Sequence, residues 1–383
     1  MSWGSFQGKC RSNNSVVDIP LHGDCDIFAL QQLGRQFCIQ SSNRPMGPMG
    51  YQQVKARLGR LGFIYLLLSA AGAPQTTPEA AIRLLAAQDA AVLTVGERLS
   101  VAARDLCAPG GWATGVLVQT RTQYGLEYRD VAIRLLALGD HPTITFVVPG
   151  SAAHRAGLLP GDQIVAVDDQ TLPRLASSQV PPRMADTERA LDVLEAGVSD
   201  GEARLQILRS GAASAIRLRA VPSCRARFEV RAGSDTNASA TQDRVQVSSD
   251  LVDPARAEQD LAPLIAHELS HVILGHEIAL KRVREGLLPG FGKGGKALRD
   301  SEIAADRLSI YLLALAGYRP SDAVNFWTAL GRRTDPGILS DRTHPGWRAR
   351  VAAIRPEILR VAAQQARGEP IRPPADLIAP RSR

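Results

Sequence analysis

Residues 266–276 read AHELSHVILGH, with three histidines and one glutamate in eleven positions. On an α-helix each residue turns by about 100°, so His267 and His271 stand about 40° apart, one turn above the other. They share a face and can offer two imidazoles to one ion, with Glu268 on the adjoining face. If the helix runs on, His276 lies roughly 140° round from His271 and roughly 180° from His267, and it points away. The metzincin spacing fails as well, because it wants the third histidine one residue later and glycine at 274 instead of 275.

A hydrolytic zinc site takes three protein ligands and keeps one position for water. The better third candidate lies in SEIAAD, residues 301–306, where Glu302 and Asp306 are i and i+4 on one helical face. One of these carboxylates can bind metal. The other can accept a hydrogen bond from a ligating histidine, fixing its tautomer and raising its basicity. The motif helix is expected to begin after a cap at Asp260, with Pro263 in its first turn, and to end near Lys281, Arg282 and Arg284. Residues 286–299, GLLPGFGKGGKALR, contain the start of a phosphate-binding loop. Ala297 stands where the magnesium-binding hydroxyl belongs, and a helix rather than a strand precedes it, so the stretch reads as a mobile flap. Helices are expected at about 301–316, 321–330 and 346–354, and residues 366–383, rich in Pro and Arg, as an unstructured tail.

Upstream, residues 78–107 are rich in alanine and leucine at helical spacing. The texture then changes to short β-branched runs at 115–124 and 144–148. Residues 149–172, PGSAAHRAGLLPGDQIVAVDDQTL, give a turn, a short helix closed by Gly157, a second turn at 160–162 and a strand. This stretch resembles a bacterial PDZ domain, which we place at residues 141–222. The resemblance implies a module that takes an extended peptide tail as an added strand.

HELSHVILGH, the later Glu302 and Asp306 pair, and THPGWRAR at 343–350 together resemble the HtpX and CaaX prenyl endopeptidase family of zinc peptidases, in its soluble bacterial branch. The resemblance covers about 79–140 and 223–355, with the PDZ module inserted between. It implies an α+β fold: a mostly helical zincin-like domain with a small edge sheet, formed by residues 74–140 and a core at 223–365. It implies one zinc ion held by His267, His271 and Glu302, with Glu268 as general base and Asp306 behind a ligand. The family's Asn-Ala-x-Ala is matched by Asn237, Ala238 and Ala240, on the strand expected to pair with substrate backbone. Its late His and Arg are matched by His344 and Arg350, which relatives use near the metal to steady the transition state or to gate the site. The expected partners are protein or peptide substrates, with peptide tails at the PDZ module. A reading of a different class is a metal-containing periplasmic chaperone or assembly factor with little turnover.

Composition agrees with a globular chain: 383 residues, 45% hydrophobic, with 45 basic and 38 acidic residues for a net +7. Residues 1–73 carry net +4, which leaves +3 for the rest, with arginine scattered rather than striped. That distribution gives no reason to expect a nucleic-acid partner. Residues 49–73 hold a basic stretch, an apolar run from Leu61 to Ala71 and a small-residue site ending at Ala73, the layout of a secretory signal. The run is far shorter than the roughly 20 residues of a membrane span, so no stable transmembrane anchor is expected. The signal lies too far from Met1, so we take residues 1–73 as a leader whose true start is Met46 or Met49. Cleavage near Ala73 would leave the protein periplasmic or secreted, with Pro74 near its new N-terminus; a cytosolic protein with a buried helix here is the alternative. Outside the leader remain Cys107 and Cys224. An oxidising compartment would let them pair, and two unrelated buried thiols are the alternative.

Overall fold

The computed structural model describes residues 10–12, 15–17, 76–176, 181–233, 237–284, 292–334 and 345–378. The chain divides into a unit ending at Ala70 and a unit from Ala71 onward. In the first, strands β1 (Cys10–Ser12) and β2 (Ser15–Val17) form an antiparallel pair. The expected signal segment, 49–73, lies outside the described residues. No helix among the described residues is long and apolar enough to cross a membrane.

The second unit opens with helix α1 (Pro78–Ala102), whose first turn is capped by Thr77 accepting from the Ala80 amide at 3.2 Å. Its buried face, Val92, Val95 and Leu99, belongs to one apolar core with residues that lie far downstream. Those partners come from a three-stranded sheet and a set of helices. The sheet has the order β11 (Arg227–Arg231), β13 (Arg244–Ser248), β12 (Ala238–Ala240), with β11 parallel and β12 antiparallel to β13. The helices are α5 (Glu258–Ile273), α6 (His276–Arg284), α7 (Gly292–Leu315), α8 (Asp322–Thr334), α9 (Trp347–Ala366) and α10 (Ala375–Ile378). Ile265 and Leu269 of α5 and Leu308, Tyr311 and Leu312 of α7 are fully buried in this core. The α+β architecture with a small sheet is therefore present.

Between α1 and β11 the chain leaves this core and returns. Strand β3 (Gly110–Ala113) pairs antiparallel with β10 (Val221–Cys224), so the outgoing and returning segments run side by side. Beyond this neck lies a second sheet with its own apolar core, containing β4 (Val116–Gln119), β5 (Thr143–Val147), β6 (Gln163–Val167), β8 (Glu202–Arg209) and β9 (Ala212–Arg219), in that spatial order. The short β7 (Gln170–Thr171) pairs with β6. Helices α2 (Leu126–Leu136), α3 (Ala152–Ala156) and α4 (Ala185–Gly197) complete this region. Its sheet starts at 116, well before the expected boundary at 141. The reason is that Val116 pairs with Val147 across a connection that contains α2.

Two more expectations need correction. The flap expected at 286–299 is helical from Gly292 onward; Leu298 is buried, and Lys296 pairs with Asp300 one turn on at 2.5 Å. Of the tail expected to be unstructured at 366–383, the described part, 366–378, instead folds back, with Gln364 bonding Arg372 backbone and Leu377 of α10 buried in the main core.

Cys107 and Cys224 form a disulfide at the neck, with Cα atoms 5.4 Å apart and a sequence separation of 117. Closing so long a loop limits the unfolded chain, a contribution of roughly 4–5 kcal/mol in the chain-entropy picture. Replacing both cysteines by serine is expected to lower stability by about 2–5 kcal/mol in urea titrations. Reductant should bring the parent protein to the same midpoint and leave the variant unmoved.

A second joint lies beside the neck. Arg227 of β11 donates to Glu195, Glu188 and Asp192 of α4 at 2.6, 2.8 and 2.6 Å. Arg244 of β13 reaches Glu188 at 2.7 Å and Glu229 at 2.8 Å. A third contact runs from α1, where buried Asp89 accepts from Gln119 of β4 at 3.1 Å and from the Val230 amide of β11 at 3.2 Å. Burial is the main influence on that carboxyl, and it pushes Asp89 up to about 7.

Candidate metal centre

Helix α5 carries His267, Glu268 and His271, and α7 packs against it with Glu302 and Asp306 facing the same space. Nε2 of His267 and Nε2 of His271 are 3.1 Å apart. Glu302 stands 3.4 Å from the first through Oε2 and 3.6 Å from the second through Oε1. A tetrahedral centre with bonds of about 2.0–2.1 Å has ligand-to-ligand edges of about 3.3 Å. The three groups thus stand close enough, with one ligand atom from each within 4.8 Å of the others, to hold one cation between them.

The charges agree. Among the described residues, Glu268, Glu302 and Asp306 bring three carboxylates to this largely buried site, against the single guanidinium of Arg350. With neutral imidazoles the cluster carries net −2, which one divalent cation balances. Burial works against charge at His267, and Arg350 adds to that opposition. Asp306 and Glu302 outweigh both, and its pKa rises to about 9. Burial likewise opposes charge at Glu302, yet His267, His271 and Arg350 hold its carboxyl well below the usual range. His271, buried beside His267, is held well below the ordinary histidine value. The site keeps Glu302 and Asp306 ionised and draws positive charge to itself.

Behind His267 the arrangement is anchored. Its Nδ1 is 3.0 Å from Oδ1 of Asp306, which is fully buried. Arg350, from the first turn of α9, donates Nε to Asp306 Oδ2 at 2.8 Å and Nη2 to Oδ1 at 2.6 Å. The same guanidinium lies 3.4 Å from the ring centre of Trp327 on α8, and that indole also meets His267 edge to face. Arg350 was expected near the reacting centre; its Nη2 lies 3.1 Å from Nε2 of His267 and 3.9 Å from Oε2 of Glu302, and it also grips the carboxylate that backs a ligand. His344 lies outside the described residues.

Asn237, Ala238 and Ala240 fall on or beside β12, an edge of the small sheet that packs against α5. The Asn237 carbonyl extends the ladder by accepting from the Ser248 amide at 2.9 Å. The structure therefore places an edge strand alongside the motif helix.

One residue departs from the sequence reading. The motif helix ends at Ile273, and Gly275 takes φ +61°, a left-handed conformation that glycine adopts without strain. His276 then begins α6, and its Nδ1 returns to within 3.0 Å of Nδ1 of His271. The expectation that His276 points away assumed an unbroken helix. The signal that could have found the break was the glycine just before it.

Residues 203–288 match the family model of Peptidase family M48, and residues 143–180 match that of a PDZ domain. Together these matches support an M48 metallopeptidase carrying a PDZ domain. A search of curated proteins gave no match to the chain. The M48 match takes in all of α5 and α6, so it contains His267, Glu268, His271 and His276 but ends before Glu302. Its first residues fall on β8 and β9, strands that the structure pairs into the PDZ sheet. M48 peptidases depend on a metal, and the His267, His271 and Glu302 cluster is where this chain can hold one.

Proposed function

We propose that this chain is an exported zinc endopeptidase of the soluble HtpX-like branch, hydrolysing peptide bonds in unfolded or misassembled envelope proteins. The observation that carries the reading is the cluster of His267, His271 and Glu302, with the two Nε2 atoms 3.1 Å apart, one Glu302 oxygen 3.4 Å from the first and the other 3.6 Å from the second, beside the buried Glu268. Zinc bound there would supply a Lewis acid that acidifies a water and polarises a carbonyl. Glu268 takes the proton of the attacking water and delivers it to the leaving amine. Asp306 holds His267 in the tautomer that leaves Nε2 free, and Arg350 holds Asp306. An extended substrate adds to β12 as a further strand, in contact with Asn237, Ala238 and Ala240. The resemblance gives His344 or Arg350 the oxyanion.

Export is supported by the basic, apolar and small-residue order of 49–73 and by a disulfide joining the two cysteines that follow it. The PDZ module, which we set at about 114–220 by its sheet, recruits peptide tails or governs access. The test is metal removal. Dialysis against a strong chelator should abolish cleavage of an unfolded, fluorogenically labelled protein, and stoichiometric zinc should restore it. Undiminished turnover by protein shown to be metal-free would end the proposal.

A further inference from the structure

The two imidazoles of the proposed centre are not backed alike. His267 has the carboxylate of Asp306 behind it. Behind His271 stands another histidine, His276, itself only 5% exposed, with Nδ1 to Nδ1 at 3.0 Å and the rings edge to face. We propose that His276 is the positioning residue of His271, accepting its Nδ1 proton and thereby fixing the ring with Nε2 turned to the metal. The inference rests on the reading of His271 as a ligand.

The chemistry leaves one arrangement. A neutral imidazole has one N–H and one lone pair. Nε2 of His271 faces Nε2 of His267 and Glu302, so its lone pair belongs to the metal and its proton to Nδ1. That proton sits in a buried place and needs an acceptor. Among the described residues, the nitrogen at hydrogen-bond distance is Nδ1 of His276, which must then offer its lone pair and carry its own proton on Nε2. The contact requires Gly275: on a continuous helix His276 would stand roughly 140° away, and only a left-handed residue before it brings the ring back.

The use of a neutral acceptor also has a consequence for charge. Carboxylates behind both ligands would take the cluster from −2 to −3, and a divalent ion would no longer balance it. A histidine orients the second ligand without adding charge.

Two measurements test this. In zinc-loaded protein labelled with nitrogen-15 at histidine, a through-hydrogen-bond coupling should connect His271 Nδ1 with His276 Nδ1. An observed His271 Nδ1–H signal without that coupling would overturn the proposal, and this needs no variant to fold. In the second, zinc affinity is read by competition with a chromophoric chelator. His276→Leu, which has no acceptor, should bind zinc about 10–100-fold more weakly. His276→Gln, whose side-chain oxygen can accept the proton, should recover most of the loss. Parental affinity in His276→Leu, or equal affinities for the two variants, would overturn it. Neither readout uses peptide hydrolysis, so a protein that cleaves nothing would refute the proposed function and leave this inference standing or falling separately.

Discussion

Glu268→Gln is expected to abolish peptide hydrolysis while the metal stays bound. The side chain is 7% exposed on α5, between the two imidazoles in sequence, and glutamine keeps its volume and its place in the packing. What glutamine lacks is the ability to take a proton from water and pass it to the amine. General base and acid catalysis by one positioned group contributes about 10²–10⁴-fold, and here the same group serves in both steps. We therefore expect turnover to fall by at least about 10³-fold, with zinc content by elemental analysis and the melting temperature unchanged. The substrate should be a chemically unfolded protein, because a folded one adds its own unfolding to the rate. Cleavage at the parental rate would show that Glu268 is not the base.

The second large effect lies behind the site. Arg350→Met removes the bidentate partner of Asp306, a carboxylate with no exposure to water, and leaves His267 as its one remaining partner among the contacts described above. Breaking a buried ion pair by deleting one member costs about 3–5 kcal/mol, because the other charge stays buried. Burial raises the pKa of Asp306, but Arg350 and His267 more than offset it and keep the carboxyl ionised. Its folded pKa is thus depressed below the reference value of 3.8, so the stability it contributes is present above that pH and lost as the pH falls through the folded value. Without Arg350 the folded pKa rises and this contribution shrinks. Parent and variant should therefore differ most near neutrality and converge in acid. A double variant, Arg350→Met with Asp306→Asn, should recover much of the loss. Thermal melts between pH 3 and pH 8 decide the matter, and a pH-independent difference would contradict the account.

How much of this was legible in the sequence follows from the physics of each part. Residues four apart on a helix meet whatever surrounds them, so His267 with His271, and Glu302 with Asp306, could be read from spacing alone. The turn glycines likewise marked the PDZ stretch, because Gly150, Gly157 and Gly161 all take positive φ there. What escaped depended on single backbone breaks or on distant pairing. One residue in the left-handed region changed the role of His276. The strand at 116–119 belongs with one at 143–147, but the helix between them hid that pairing. Resemblance placed Arg350 near the metal, but its bond to Asp306 joins residues 44 apart, follows from how α9 packs on α7 and had no local signal. The proline and arginine content of the tail suggested disorder, but Leu377 finds the core.

The ion pairs of Arg227 and Arg244 bear on how this molecule can be taken apart. Four of the carboxylates around them are Glu188, Asp192, Glu195 and Glu229, and the first three belong to α4, inside the inserted region. Excising that region, even with a short turn joining the two neck strands, would strand two half-buried cations with one acid between them. A fragment built to isolate the catalytic half should therefore also neutralise both arginines. Otherwise insolubility caused by the cut would be mistaken for a requirement that the two halves cooperate.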